Sequence, residues 1–207
     1  AADGATVTLL TDAELSQNVY IYGSEKTVTL DLNGHSFSGG ENILSIGGTK
    51  NNDRKAGTLK IIGNGKILTE LNIFVTGNLD LSGWAGGEIQ QITVRPGTAV
   101  TGSIPSDAYI GTLCITGYAT ETMDKIDEIK LDGGSYGTIT WLNFVRVDLP
   151  LGILLAPGCA FQREDNTFVP YADKLSYASP DNIIQNVKVV KREEHHDEDG
   201  DGKCDYC

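Results

Sequence analysis

Thr27-Val-Thr-Leu-Asp-Leu-Asn-Gly-His35 sets the pattern of this chain, in which alternating apolar residues are followed by a corner of Asn and Gly. Side chains alternate between two faces along a strand, so Val28, Leu30 and Leu32 share one face and Thr29 and Asp31 share the other. The pattern returns in segments that begin at residues 57, 78, 92, 112, 129 and 145. Short alternating strands with sharp corners and few helix signals are typical of a solenoid or another all-β body.

The spacing of the candidate strands predicts a right-handed parallel β-helix of about six or seven coils. The strand starts lie 13 to 21 residues apart, and this loose period argues against a strict hexapeptide repeat. An antiparallel β-sandwich is the alternative, because it would use the same strands but pair neighbours through hairpins. The side chains expected to face inward are Val28, Leu30, Leu32, Leu59, Ile61, Leu79, Leu81, Ile92, Val94, Leu113, Ile115, Ile129, Leu131, Val145 and Val147.

The length of 207 residues predicts one main domain with a short appendage. We expect a β-helix domain over residues 1–190, with a capping segment at about 1–22 and a closing segment at about 158–190. Thr11–Ser16 is expected to supply one helical turn that covers the open end of the core. Residues 191–207 contain almost nothing apolar and form a separate acidic tail, the start of a truncated module.

Composition limits the classes of function. The net charge of −12 argues against binding to nucleic acid, whose phosphates need Lys and Arg partners. No stretch approaches the roughly 20 apolar residues that cross a bilayer, so no membrane span is expected. Cys114 and Cys159 lie in apolar settings far apart in the sequence, and we interpret them as buried free thiols.

The acidic tail carries the sharpest motif. Carboxylates at alternating positions, a turn glycine at Gly202 and a backbone carbonyl match the first nine positions of a calcium loop. The predicted calcium ligands are Asp197, Asp199, Asp201, Lys203 (through its carbonyl) and Asp205. Zinc is the alternative metal, because imidazole and thiolate ligands also occur here. The candidate zinc ligands are His195, His196, Cys204 and Cys207. A solvated acidic tail without metal is equally compatible with the sequence.

The body offers weaker candidates. Four aspartates, Asp31, Asp80, Asp132 and Asp148, lie one residue out of phase with apolar neighbours and could form an outward row that binds calcium or works as acid and base. Arg95 and Arg146 are the only basic candidates in phase with them. We favour a role for the aspartates in starting turns. Four aromatic residues, Trp84, Trp141, Tyr118 and Tyr136, could form a sugar-stacking platform, although aromatic residues more often pack in the core.

Two segments resemble known proteins. Residues 27–39, followed by Gly57-Thr-Leu-Lys-Ile-Ile-Gly-Asn-Gly65, resemble a phrase common in large surface proteins of gut Firmicutes, in regions that look like the pectate-lyase-type right-handed β-helix. The tail from His196 to Cys207 is similar to an Asp-rich module in the same kind of protein. Together the resemblances imply a secreted or cell-surface bacterial protein.

The function expected from these observations is a non-catalytic scaffold, adhesin-type or glycan-binding domain. Its expected partners are a polysaccharide or a glycan or protein of a host or cell surface, and we expect a monomer. A polysaccharide lyase or glycoside hydrolase of the β-helix class is the alternative, because fold alone does not fix function.

Overall fold

The computed structural model describes residues 2–21, 26–50, 53–74, 76–95, 98–117, 129–143, 147–178 and 180–192. These residues form a right-handed parallel β-helix of about five turns with almost no helix. The strands are β1 (Ala5–Thr8), β2 (Ala13–Glu14), β3 (Val19–Ile21), β4 (Lys26–Asp31), β5 (Ser36–Ser38), β6 (Leu44–Ile46), β7 (Gly48–Lys50), β8 (Asp53–Lys55), β9 (Gly57–Ile73), β10 (Gly77–Val94), β11 (Ala99–Thr101), β12 (Tyr109–Gly117), β13 (Ser135–Asn143), β14 (Leu149–Pro150), β15 (Cys159–Arg163), β16 (Lys174–Leu175) and β17 (Ile183–Lys191).

Each turn of the solenoid has three faces. In one turn β4, β5 and β6 form the first, second and third face, whereas β9 and β10 each run through all three as one bent strand. Residues at equivalent positions stack from turn to turn about 4.8 Å apart. The stack that begins on β1 joins small and aliphatic side chains that face the core: Ala5, Val28, Leu59, Leu79, Val100 and Ile129.

The second and third faces contribute their own inward stacks. On the second face the stack consists of Ala13, Phe37, Ile67, Ile89, Ile110 and Tyr136. On the third face it consists of Val19, Leu44, Leu71, Ile92, Leu113 and Ile139. The three inward stacks meet along the axis and form the core, in which each fully buried aliphatic side chain stabilises the fold by about 1.5–3 kcal/mol.

The alternation of apolar residues predicts the core well. Of the side chains expected to face inward, all those from Val28 to Leu131 are buried. Val147 is only half-buried, and Val145 lies outside the described residues. The antiparallel sandwich is excluded, since the pairings among the strands from β1 to β13 that build the three faces are all parallel.

Two expectations about the turns are wrong. The predicted six or seven coils exceed the observed turns, because several candidate strands are different faces of one turn. The segment Thr11–Ser16 does not supply a helical turn; it contains β2, which pairs with β5 as part of the solenoid. Three short strands therefore begin the solenoid, and an apolar cavity of about 220 Å³ lined by residues such as Val7 and Phe37 lies at this end.

The other end of the solenoid is closed by a change of strand direction. β17 pairs antiparallel with β13, and β15 pairs antiparallel with β17. A short 3₁₀ helix (Leu151–Leu154) and the small sheet of β14 and β16 complete this end, and their buried residues, among them Leu151 and Leu154, belong to the common hydrophobic core. Within the described ranges, no helix has the length and apolar character needed to cross a membrane.

Candidate functional site

A row of outward-facing polar residues runs along the second face, next to the inward stack that contains Phe37 and Ile67. Its members occupy one register position on successive strands, from the second turn to the closing strands. The row consists of Ser36, Lys66, Glu88, Tyr109, Ser135, Lys188 and Gln162, and we call it the polar row. Alternation along each strand places these side chains on the outside because their chain neighbours face the core.

Tyr109 is the aromatic member of the polar row, and its side chain is 44% exposed. Its hydroxyl group lies over Gly137, where a Cβ atom would overlap the tyrosine oxygen. That same Cβ would be 2.7 Å from the Gly111 carbonyl oxygen, so the two backbones also approach closely at this point. The absence of a side chain at Gly137 therefore leaves room for the Tyr109 ring on the outer surface of the sheet.

A groove with a volume of about 320 Å³ opens beside this ring at the closing end of the second face. It is lined by Tyr109, Ser135, Tyr136, Gln162, Arg163, Glu164, Asn186, Val187 and Lys188. Asn186 adopts a left-handed backbone conformation (φ +52°), which few residues other than Gly, Asn and Asp tolerate. A non-glycine residue in this conformation within a strand often marks a functional position.

The cations of the polar row differ in their environment. Lys66 donates a hydrogen bond of 2.9 Å to the Glu88 carboxylate in the next turn, so its charge is compensated. Lys188 is exposed and forms no ion pair with any carboxylate in the part of the chain that the structure describes. The groove thus contains a lysine whose ammonium group is available to a ligand.

Two of the aspartates proposed as site residues act in turns. Asp31 Oδ1 accepts a hydrogen bond from the Asn33 backbone N–H, and Asp80 Oδ1 accepts one from the Ser82 N–H at 2.9 Å. Burial acts against ionisation of Asp80, but the hydrogen bonds from Ser82 and the charge of Lys60 outweigh it, so the pKa of this carboxyl is lowered. The turn role favoured from the sequence is therefore confirmed at both positions.

The proposed row of carboxylates does not form between Asp31 and Asp80. Asp31 aligns with Ile62, whereas Asp80 aligns with Lys60, two residues away along the same strand. The offset arises because Leu79, which precedes Asp80, stacks on Leu59, whereas Leu30, which precedes Asp31, stacks on Ile61 two residues further along.

The remaining charged candidates also have structural partners. Asp132 accepts hydrogen bonds from the Ile104 N–H and the Ser103 hydroxyl, and Asp148 accepts one from the Tyr177 N–H at 3.4 Å. The Arg95 guanidinium stacks on the Phe74 ring, 4.0 Å from its centroid, at the end of the third face. Arg146 lies outside the described residues.

Three of the four aromatic residues proposed as a sugar platform are buried. Trp84 is 4% exposed, and Trp141 and Tyr136 are almost completely enclosed. Trp141 Nε1 donates to the Val147 carbonyl and the Tyr136 hydroxyl donates to the Gly133 carbonyl, so both polar groups are satisfied inside. Because stacking on a sugar needs an exposed ring face, these three residues serve the core instead. Tyr118 lies outside the described residues.

Tyr109 is the exposed aromatic residue of the groove that sequence reasoning missed. The signal was present in the alternation of Tyr109-Ile-Gly-Thr-Leu113, which places Tyr109 on the polar face when Ile110 points inward. The choice of Trp84 and Trp141 rested on residue type rather than on this phase.

The predicted free thiols are present and buried. Cys114 and Cys159 form no disulfide. Burial, with a contribution from the charge of Glu70, raises the pKa of Cys114 to about 11, and burial also raises the pKa of Cys159. Both side chains are therefore protonated at neutral pH and poorly nucleophilic.

The metal predictions fall on the tail. Within the described ranges, no group of three or more His, Cys, Asp or Glu side chains is arranged to hold a metal ion. All the candidate calcium and zinc ligands, from His195 to Cys207, lie outside these ranges, and both assignments stay predictions.

Comparisons of this chain with protein-family models, curated proteins and solved structures gave no match.

Proposed function

We propose that this chain is a glycan-binding domain of a secreted or cell-surface protein. The observation that carries the proposal is the polar row with its groove, in which an exposed aromatic ring lies among hydrogen-bonding side chains. An aromatic face packs against the apolar face of a sugar ring, while amide, hydroxyl and charged groups bind its hydroxyl groups. The groove combines these elements through Tyr109, Ser135, Gln162, Asn186 and Lys188.

The geometry suits an extended ligand. From Ser36 to Gln162 the polar row crosses six strand spacings of about 4.8 Å each, so it follows the solenoid over about 29 Å. A polysaccharide laid along the axis would pass one side chain of the row at each spacing. Such a surface binds a repeating ligand by many weak contacts instead of enclosing a small molecule.

The direct test is a glycan array that includes neutral and acidic polysaccharides, probed with the purified chain. We expect retention of at least one polysaccharide and no new reducing ends or unsaturated products after prolonged incubation. Cleavage would favour the alternative, a polysaccharide lyase or glycoside hydrolase. Absence of retention on every glycan would overturn the proposal.

A pair of matched variants locates the binding surface. Tyr109→Ala removes the exposed ring of the groove and should weaken glycan binding by about 10-fold, as expected for the loss of one stacking contact. Tyr177→Ala is the control, since Tyr177 is also exposed (42%) but lies outside the groove. Equal affinities for the two variants would place the binding surface elsewhere.

A further inference from the structure

We infer that the groove selects an acidic glycan, and that Lys188 is the residue that recognises its negative charge. This inference rests on the proposed glycan-binding function and adds the ligand class. It comes from the charge distribution around the polar row rather than from the aromatic contact.

The chain has a net charge of −12, of which −6 comes from residues 193–207 and −6 from residues 1–192, so the body is mildly acidic as a whole. Two outward lysines of the preceding turns are compensated: Lys60 lies 3.6 Å from the Asp80 carboxylate, and Lys66 lies 2.9 Å from that of Glu88. Neither lysine offers an uncompensated charge.

The charged residues that line the groove are Lys188, Arg163 and Glu164, a net charge of +1. Lys188 forms no ion pair with a carboxylate in the described ranges, whereas the charge of Arg163 acts on the neighbouring Asp165 carboxylate. An ammonium group without a carboxylate partner in a concave site forms its strongest hydrogen bonds with carboxylate or sulfate oxygens.

Lys188 follows Tyr109 and Ser135 in the polar row, so it lies two strand spacings, or about 10 Å, from the aromatic residue. Gln162 aligns with Lys188 on β15; its Nε2 donates one hydrogen bond of 3.3 Å to the Asn166 carbonyl, and its second N–H is a further donor for a ligand. A sugar stacked on Tyr109 would therefore be followed along the axis by a sugar whose acidic group meets Lys188 and Gln162.

The test compares ligands that differ only in charge. Polygalacturonate and its methyl ester share one backbone, and dextran sulfate and dextran share another, so the two pairs separate carboxylate from sulfate recognition. At low salt we expect the unmodified protein to bind an acidic member at least 5-fold more tightly than its neutral counterpart, and this preference should weaken as salt is added.

Two lysine variants assign the effect to the groove. Lys188→Gln should reduce the affinity for the acidic glycan by about 3- to 10-fold and leave binding to the neutral glycans unchanged. Lys191→Gln is the control, because it makes the same charge change three residues further along β17, at a residue that does not line the groove. Its affinity should stay within 2-fold of the unmodified protein.

Each outcome has a distinct meaning. Equal binding of acidic and neutral members, with loss on Tyr109→Ala, would overturn the acidic assignment and leave the proposed glycan-binding function intact. Equal losses in the Lys188 and Lys191 variants would also overturn it, because the effect would then come from overall charge. Binding to no glycan at all would overturn the proposed function and this inference with it.

Discussion

The Asp132 carboxylate accepts a hydrogen bond of 2.8 Å from the backbone N–H of Ile104, 28 residues earlier in the chain. Its other oxygen accepts a hydrogen bond of 2.7 Å from the Ser103 hydroxyl. One side chain therefore joins the corner of one turn to the corner of the turn before it.

Replacement of Asp132 should destabilise the solenoid. Asp132→Ala leaves the partly buried Ile104 N–H without an acceptor, and we expect a loss of about 1–3 kcal/mol in the free energy of unfolding, measured by urea denaturation. Asp148→Ala is the control, since its single hydrogen bond is long at 3.4 Å. Equal losses of unfolding free energy in the two variants would mean that the hydrogen bonds from Asp132 to Ser103 and Ile104 add no stability of their own.

Gly87 should tolerate no side chain. Its φ is +120°, and a Cβ atom there would overlap the carbonyl oxygen of Gly65, its register neighbour in the previous turn. Gly87→Ala should cost about 3 kcal/mol or more, because backbone atoms cannot yield as a flexible side chain can. Gly34→Ala is the matched control: φ is +82°, but nothing lies within 4 Å of the added Cβ, so about 1–2 kcal/mol of backbone strain is expected. Thermal unfolding of both variants measures the two losses of stability. A larger loss in Gly87→Ala than in Gly34→Ala reports the close approach to Gly65, and equal losses would mean that backbone strain alone is responsible.

Asp80 should contribute to acid sensitivity. Its folded-state pKa is lowered, so the stability it contributes is present above the unfolded value of about 3.8 and is lost as the pH falls through the lower folded value. Asp80→Asn should therefore lose less stability than the unmodified protein between pH 5 and pH 2. Asp173→Asn controls for the general loss of a carboxylate, and a similar change in both variants would contradict the assigned role of Ser82 and Lys60.

The two body cysteines should resist thiol reagents. With the pKa of Cys114 raised to about 11 and both sulfur atoms buried, little reactive thiolate is present at pH 8. In a variant with Cys204→Ser and Cys207→Ser, we expect no labelling by a disulfide reagent in the folded protein and two labelled thiols after addition of denaturant. Rapid labelling of one thiol without denaturant would show that its site opens.

The acidic tail should bind calcium weakly. Its alternating carboxylates match the first nine positions of a calcium loop, so calorimetric titration with calcium should give binding heat at the weak, roughly millimolar end of the range of calcium sites. Asp199→Asn with Asp201→Asn should abolish the heat. Tight zinc binding that is unaffected by this change and lost on Cys204→Ser would favour the alternative ligand set.

Local alternation was sufficient to predict the inward residues of the strands. Side chains alternate between the two faces of a strand, so residues such as Leu30 and Leu79 can be assigned to the core without knowing which strands pair. The register between turns was not predictable in this way. Whether Asp31 meets Asp80 depends on which inward residues of the strands stack, and the pairing of both Val28 and Leu79 with Leu59 places Lys60 beside Asp80 instead. The expected row of carboxylates failed for this reason.

The sequence by itself determined that the chain alternates inward and outward residues, turns sharply at Asn and Gly, and buries its aliphatic side chains. These properties depend on neighbours along the chain. The tertiary structure alone decided which outward residues stack. Ser135 and Lys188 are 53 residues apart in the sequence, and they become neighbours only because β17 pairs antiparallel with β13. The tertiary structure also decided that Trp84 and Trp141 fill the core and that the hydroxyl group of Tyr109, whose outward direction follows from alternation, lies over Gly137. Burial depends on residues brought together from different turns, and no local pattern specifies that assembly.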